Sequence, residues 1–311
     1  MAKTCFGVDI GGTTIKLGMF DLAGNILDKW EIPTRKEDNG DHILEDAADS
    51  IQKKMKEHNV AENEVEGVGV GVPGPVDKDG MIYGAANLGW NTFNIKDRME
   101  SILHVPVAAG NDANVAALGE MWKGGGKGYQ DMVLVTLGTG IGGGIIIGGN
   151  IITGSLGSAG EIGHMHIQDG EKETCGCGKK GCLEQYGSAE GIARLARRKL
   201  AATDKETILR GQDISAKTVF DAVKQKDAVA LEIAEEFGVY LGKGLAAVAC
   251  VVDPQAFVIG GGVSKAGEIL TEYIRKNYEK YVFKGCRNAK FVLATLGNDA
   301  GIYGAAKLIL K

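Results

Sequence analysis

Asp9-Ile10-Gly11-Gly12-Thr13-Thr14 is the stretch on which the reading of this chain turns. Before it, Thr-Cys-Phe-Gly-Val-Asp-Ile at 4–10 reads as a buried strand. After it, residues 14–20 read as a second strand and 25–32 as a third, with turns at Gly11-Gly12 and Ala23-Gly24-Asn25. Glycines let backbone N–H groups come close to phosphate oxygens. The hydroxyls of Thr13 and Thr14 add donors and Lys16 adds charge. Asp9 would repel a phosphate, so it calls for a cation such as Mg²⁺ between them. A P-loop or a dinucleotide fingerprint would lead from strand into helix, whereas a strand follows here. From this hexapeptide alone, a glycine hairpin with no ligand is an equally open reading.

A second loop, Leu137-Gly138-Thr139-Gly140-Ile141-Gly142, stands between apolar runs at 132–137 and 143–152 and favours the phosphate reading. A third glycine cluster, Gly260-Gly261-Gly262, follows a short strand at 257–259 and suits the flat face and sugar of a nucleotide. Val8-Asp9-Ile10-Gly11-Gly12-Thr13 and Thr136-Leu137-Gly138-Thr139-Gly140-Ile141 echo each other, each at the opening of a strand–turn–strand unit. Helical spacing is read at 41–58, 112–122, 188–202, 215–226, 228–250, 265–280 and 299–310, with further strands at 65–72 and 290–294. The expectation is an α/β fold of two similar domains facing across a cleft. Their boundary is placed near 120–130, where Lys123-Gly124-Gly125-Gly126-Lys127-Gly128 reads as a connector.

The length of 311 residues suits two domains. Glycine is the compositional anomaly, with 48 residues, about twice the usual share. They cluster beside apolar runs, as tight turns or phosphate loops require. Net charge is −5 with acids and bases interleaved, which argues against nucleic-acid and anionic-membrane partners. The uncharged run Met132 to Ile152 is long enough to span a bilayer, but seven glycines and two threonines interrupt it, so it reads as two strands. The N-terminus enters a strand pattern at once with no signal-peptide pattern, and a cytoplasmic protein is expected.

Cys5, Cys250 and Cys286 stand singly, whereas Cys175, Cys177 and Cys182 crowd into Cys-Gly-Cys-Gly-Lys-Lys-Gly-Cys-Leu-Glu. With His164 upstream, three thiolates and an imidazole make a closed tetrahedral zinc site, structural because no position is left for water. A loop of reduced thiols is the alternative. Zinc would hold Glu161 and Glu184 in place on either side, and paired carboxylates suit sugar hydroxyls. His166 is an extra candidate, read rather as a surface or core histidine. Asn111-Asp112-Ala113-Asn114 lies at a strand-to-helix junction, where Asp112 would accept a hydroxyl proton in phosphoryl transfer. N-capping explains the same residues.

These motifs resemble the ROK family (repressors, open reading frames, kinases) of the actin/hexokinase-like ATPases. The Asp-Ile-Gly-Gly-Thr-Thr loop is shared widely, while Glu-Ile-Gly-His at 161–164 with the cysteine run at 175–184 is specific to ROK proteins. The resemblance covers essentially the whole chain and implies two ribonuclease-H-like domains. Residues 1–122 with a returning helix at about 298–311 would form the first domain and 123–297 the second. It implies that Asp9 organises Mg²⁺ and that Gly11, Gly12 and Thr13, with Gly138, Thr139 and Gly140, hold ATP phosphates. Gly260, Gly261 and Gly262 would lie along the adenosine. Asp112 would be the base, and Asn111, Glu161, His164 and Glu184 would contact the sugar. His164 would also bind zinc with Cys175, Cys177 and Cys182. Asn-Leu-Gly-Trp at 87–90 is similar to the sugar-side loop of bacterial glucokinases, which adds Asn87 and favours glucose over N-acetylmannosamine, N-acetylglucosamine, fructose or allose. A homodimer is implied as well. A sugar-sensing repressor is disfavoured because the loop at Asp9 leaves no room ahead of it for a helix-turn-helix. A chaperone-type or cytoskeletal ATPase is disfavoured by the cysteine cluster.

Overall fold

The computed structural model describes residues 3–310. Three antiparallel strands open the chain: β1 (Thr4–Ile10), β2 (Thr14–Asp21) and β3 (Ile26–Pro33). Helix α1 (Ile43–Glu57) leads to β4 (Val65–Val72), which pairs parallel to β1. A small hairpin, β5 (Met81–Ile82) and β6 (Phe93–Asn94), precedes α2 (Ile95–Leu103), then β7 (Val107–Asn111), parallel to β4, and α3 (Asp112–Lys123). The sheet order is β3-β2-β1-β4-β7.

The second series repeats the plan with β8 (Met132–Leu137), β9 (Ile141–Ile147) and β10 (Asn150–Ile151). Helices α4 (Glu184–Gly187), α5 (Ala189–Ala201), α6 (Ala216–Lys224) and α7 (Ala228–Val252) follow. Then come β11 (Ala256–Gly260), α8 (Glu268–Tyr281), β12 (Lys290–Leu293) and α9 (Ala300–Ile309). The order β10-β9-β8-β11-β12 matches the first sheet strand for strand. The echo between residues 8–13 and 136–141 is therefore an echo of position, since each run spans the turn after the central strand of its sheet.

The strand expected over 143–152 is two strands, joined through Gly148 and Gly149 in left-handed conformations (φ 57° and 76°). The helix expected from 265 begins at Glu268, after a 3-10 turn at Gly262–Ala266. Helix α2 and the β5–β6 hairpin were not anticipated: α2 has helical spacing in Ile95, Met99 and Leu103 but is only nine residues long, and each hairpin strand has two residues. Among the described residues no helix is long and apolar enough to cross a membrane.

By contacts the chain divides into two compact units, Met1–Gly128 with Gly144–Gly160 and Leu296–Lys311, and Tyr129–Gly143 with Glu161–Thr295. In the first, β1 and β4 are buried almost throughout, with Phe6, Val8, Val68 and Val70 at 0% exposure, so their sequences run apolar rather than alternating. Helix α9 covers them at very close range. A Cβ at Gly7 would collide with the Ile302 carbonyl, and one at Gly69 with that of Ala305. Gly119 of α3 and Gly304 of α9 meet in the same way. Adding a methyl here must push the helix outward or strain it. Gly69→Ala is therefore expected to lower stability by about 1–3 kcal/mol. The check is the urea midpoint at unchanged m-value; an unaltered midpoint would mean that the helix yields at no cost.

Candidate active site and metal centre

In the first unit, Asp9 ends the buried run of β1 and pairs across the hairpin with Lys16. Its carboxylate rests on Gly301, in the first turn of α9, where any Cβ would strike it. Burial lifts the Asp9 carboxyl from 3.8 to about 6; Lys16 opposes the rise and Asp112 adds to it. Lys16 Nζ also donates to the Asn298 carbonyl at 3.3 Å. The turn after Asp9 is closed by Gly11 N–H to the Thr14 carbonyl at 3.0 Å. Thr34 brackets it, donating from its hydroxyl to the Gly11 carbonyl at 2.7 Å and from its amide to the Thr13 carbonyl at 3.0 Å.

The side chain of Asn111 caps α3, accepting from Ala113 N and Asn114 N at 3.0 and 3.2 Å, while its amide donates to the Gly74 carbonyl. The capping alternative is thereby assigned to Asn111. Asp112 is the first residue of the helix, exposed, with Oδ1 accepting from Ala113 N at 2.8 Å. Asn87 is exposed on a turn anchored by buried Leu88 and Trp90, whose indole donates to the Gly40 carbonyl at 2.9 Å.

In the second unit, the loop at 138–140 closes with Gly138 N–H to the Gly140 carbonyl at 3.0 Å, and Ala189 N–H at the start of α5 donates to the Gly138 carbonyl at 2.8 Å. Gly261 is left-handed (φ 81°) and lies against the Leu137 backbone, and Gly260 packs on Ala294; both are glycine for structural reasons. Gly12, Gly138 and Gly262 differ. None has a left-handed φ, and a Cβ at any of them would meet no protein atom within 4 Å. Neither conformation nor packing demands glycine there. Gly262, Val263, Ala189, Ser215, Ala216 and Phe220 line a cavity of about 360 Å³ with lysines at its edge, a size that takes a nucleoside. The residues at 215–224 were not singled out from sequence, where they read only as a helix.

His164, Cys175, Cys177 and Cys182 converge, their ligand atoms all within 4.8 Å of one another. The sulfurs of Cys177 and Cys182 are 3.6 Å apart, and His164 Nδ1 is 3.7 Å from Cys175 Sγ. A tetrahedron with metal–sulfur bonds of about 2.3 Å has edges of about 3.8 Å, so the set fits zinc. Burial raises the Cys175 and Cys182 thiols, while the Lys179 amide lowers Cys177; a bound cation would hold all three as thiolates. His166 lies outside this set: its ring engages the Lys180 carbonyl at 3.0 Å and Asp169 at 2.9 Å. Glu161 and His164 are exposed, flanking buried Ile162 and Gly163. Glu184 reaches Cys175 Sγ with Oε1 at 2.8 Å, and its Oε2 faces Gly140. One carboxylate thus adjoins both the metal cluster and the second glycine loop.

The ROK family matches residues 5–311. The chain belongs to the ROK family. It is 45% identical to a glucokinase of Halalkalibacterium halodurans, over 97% of this chain and 94% of that one. It is 38% identical to a glucokinase of Streptomyces coelicolor, over 97% and 96%. Among solved structures it is similar to a ROK family glucokinase from Streptomyces griseus in complex with glucose and AMPPNP, with TM-score 0.75, 37% identity and 98% of each chain covered. The fold is thus the mixed α/β fold of ROK glucokinases.

Two expectations follow for this ROK site. Alanine at Gly12, Gly138 or Gly262 should leave the thermal midpoint near that of the parent, because no protein atom is met. The same change should weaken ATP binding about tenfold, the equivalent of 1.4 kcal/mol, read by titration with nucleotide. Unchanged affinity in all three would mean that these glycines do not face nucleotide. The second concerns Asp9. The folded chain binds its proton more tightly than the unfolded chain, so stability falls as pH rises from about 4 to about 6 and the cost is fully present above that. Asp9→Asn should therefore be at least as stable as the parent at pH 7.5, with the gap closing toward pH 4, and should lose Mg·ATP turnover. Denaturation at the two pH values checks it.

Proposed function

We propose that this ROK protein transfers the γ-phosphoryl group of ATP to glucose, giving glucose 6-phosphate. The observation that carries this reading is the near full-length similarity to glucokinases, at 45% identity over 97% of the chain. The residues on the two units supply what the reaction needs. The loops at 11–13 and 138–140 take the phosphates through backbone amides, and the cavity beside Gly262 takes the adenosine. Mg²⁺ held by Asp9 would neutralise charge on the phosphoryl oxygens. Asn87, Asn111, Glu161, His164 and Glu184 hold the sugar hydroxyls, with the last three fixed by the zinc cluster. Asp112 accepts the 6-hydroxyl proton as that oxygen attacks phosphorus in line. Asn111 carries the α3 cap, so a change at Asp112 leaves that cap in place. The domains proposed for the reaction are residues 1–122 with the last helix and 123–297, in a cytoplasmic homodimer.

Asp112→Asn should lower kcat with glucose by about 10²–10⁴ while glucose affinity stays near the parent value. A coupled ADP-release assay across glucose, mannose, fructose, allose, N-acetylglucosamine and N-acetylmannosamine measures both the variant and the sugar preference. A different preferred sugar would replace glucose and keep the mechanism, whereas full turnover by the variant would remove Asp112 as the base.

A further inference from the structure

Gln185 is polar yet only 8% exposed. Its Oε1 accepts from Gly181 N at 2.8 Å and Cys182 N at 3.1 Å, and its Nε2 donates to the Glu173 carbonyl at 3.1 Å. The first two groups belong to the arm that carries Cys182. The third belongs to the arm that enters Cys175. One planar carboxamide therefore joins both arms of the cysteine loop. A carboxylate would have no donor for Glu173, and a hydroxyl would be too short to reach both arms. The Gln185 backbone is pinned in turn: its carbonyl accepts from the Arg194 guanidinium, which also pairs with Glu173 at 3.2 Å. Gln185 directly follows Glu184 on α4, so what fixes one orients the other.

We propose that Gln185 is a positioning residue of the metal centre, holding the Cys175 and Cys182 arms at coordination distance and Glu184 against them. It rests on the zinc reading of the four-ligand cluster and does not depend on which sugar is used. Hydrogen bonds that orient a metal-binding loop are commonly worth 10–100-fold in metal affinity.

The test uses full-length protein without sugar or nucleotide, so that its failure is separate from any failure of the kinase reading. Zinc affinity is measured by competition with a chromogenic chelator for the parent, for Gln185→Met, which keeps the length and removes all three bonds, and for Gln185→Glu, which breaks only the Glu173 bond. The expected result is a fall of about 10–100-fold for Gln185→Met and a smaller fall for Gln185→Glu, with an altered absorption spectrum when cobalt replaces zinc. The metal-free variants should melt within a few degrees of the metal-free parent. Parent-like zinc affinity in both variants would overturn the proposal. So would equal destabilisation of the metal-free and zinc-loaded forms, because that is the behaviour of an ordinary buried residue.

Discussion

Helix α9 lies backbone to backbone against β1 and β4, and the setting of Asp9 at the end of that sheet depends on this contact. Gly7 and Gly69 leave the sheet without side chains under the helix, and Gly119 with Gly304 brings α3 in beside it. The approach is too close for any Cβ, so it cannot be recovered by trading one apolar residue for another. Its consequence reaches Asp9. With α9 at this height, Gly301 in its first turn admits the carboxylate, next to the positive end of the helix dipole. A helix displaced outward would leave Asp9 in a different field.

The setting of Asp9 is electrostatically incomplete. Lys16 and the helix terminus both favour a charged Asp9, yet burial and the nearby Asp112 outweigh them and lift its carboxyl to about 6. The rise from 3.8 corresponds to about 3 kcal/mol at 1.36 per pH unit. A side chain selected for stability alone would be neutral here. A divalent cation held by Asp9 would reverse the balance by favouring the charged carboxylate. The raised Asp9 carboxyl and Gly12, where a Cβ would meet open space, sit within three residues of each other.

Much of this was legible in the sequence. Strands such as Val65–Val72 and Met132–Leu137 are long apolar runs with clear stops, and their limits coincide with the sequence reading. The cysteine cluster was legible because ligand chemistry is local: glycines between the thiols fold the chain around an ion wherever the segment lies. The cavity beside Gly262 was not. Ser215, Phe220 and Gly262 come from segments more than thirty residues apart, and nothing in the amphipathic spacing of α6 separates a residue facing a cavity from one facing the core. The three glycines at 260–262 also read alike in sequence. Only the backbone distinguishes Gly261, which has a left-handed φ and lies against Leu137, from Gly262, which has open space where a Cβ would stand. Gln185 was missed for a related reason: a lone glutamine carries no pattern until its three partners are in place.

The zinc cluster answers a problem that hydrophobic burial cannot. Glu161 and His164 are polar and exposed, and the segment that bears them has little to bury. Between Glu161 and Glu184 the buried apolar set is Ile162, Cys175, Cys182 and Leu183. Two aliphatic side chains at about 1.5–3 kcal/mol each do not order two dozen residues against a conformational cost of about 1–2 kcal/mol per residue. A structural zinc contributes about 10–16 kcal/mol in small zinc-binding peptides, more than those two side chains together. Around it, Arg198 with Glu171 and Tyr186 with Glu171 tie the entering arm to α5 and α4. A bound metal would add to what this polar lattice holds, and Glu184, against Cys175 Sγ at 2.8 Å, lies where the two meet.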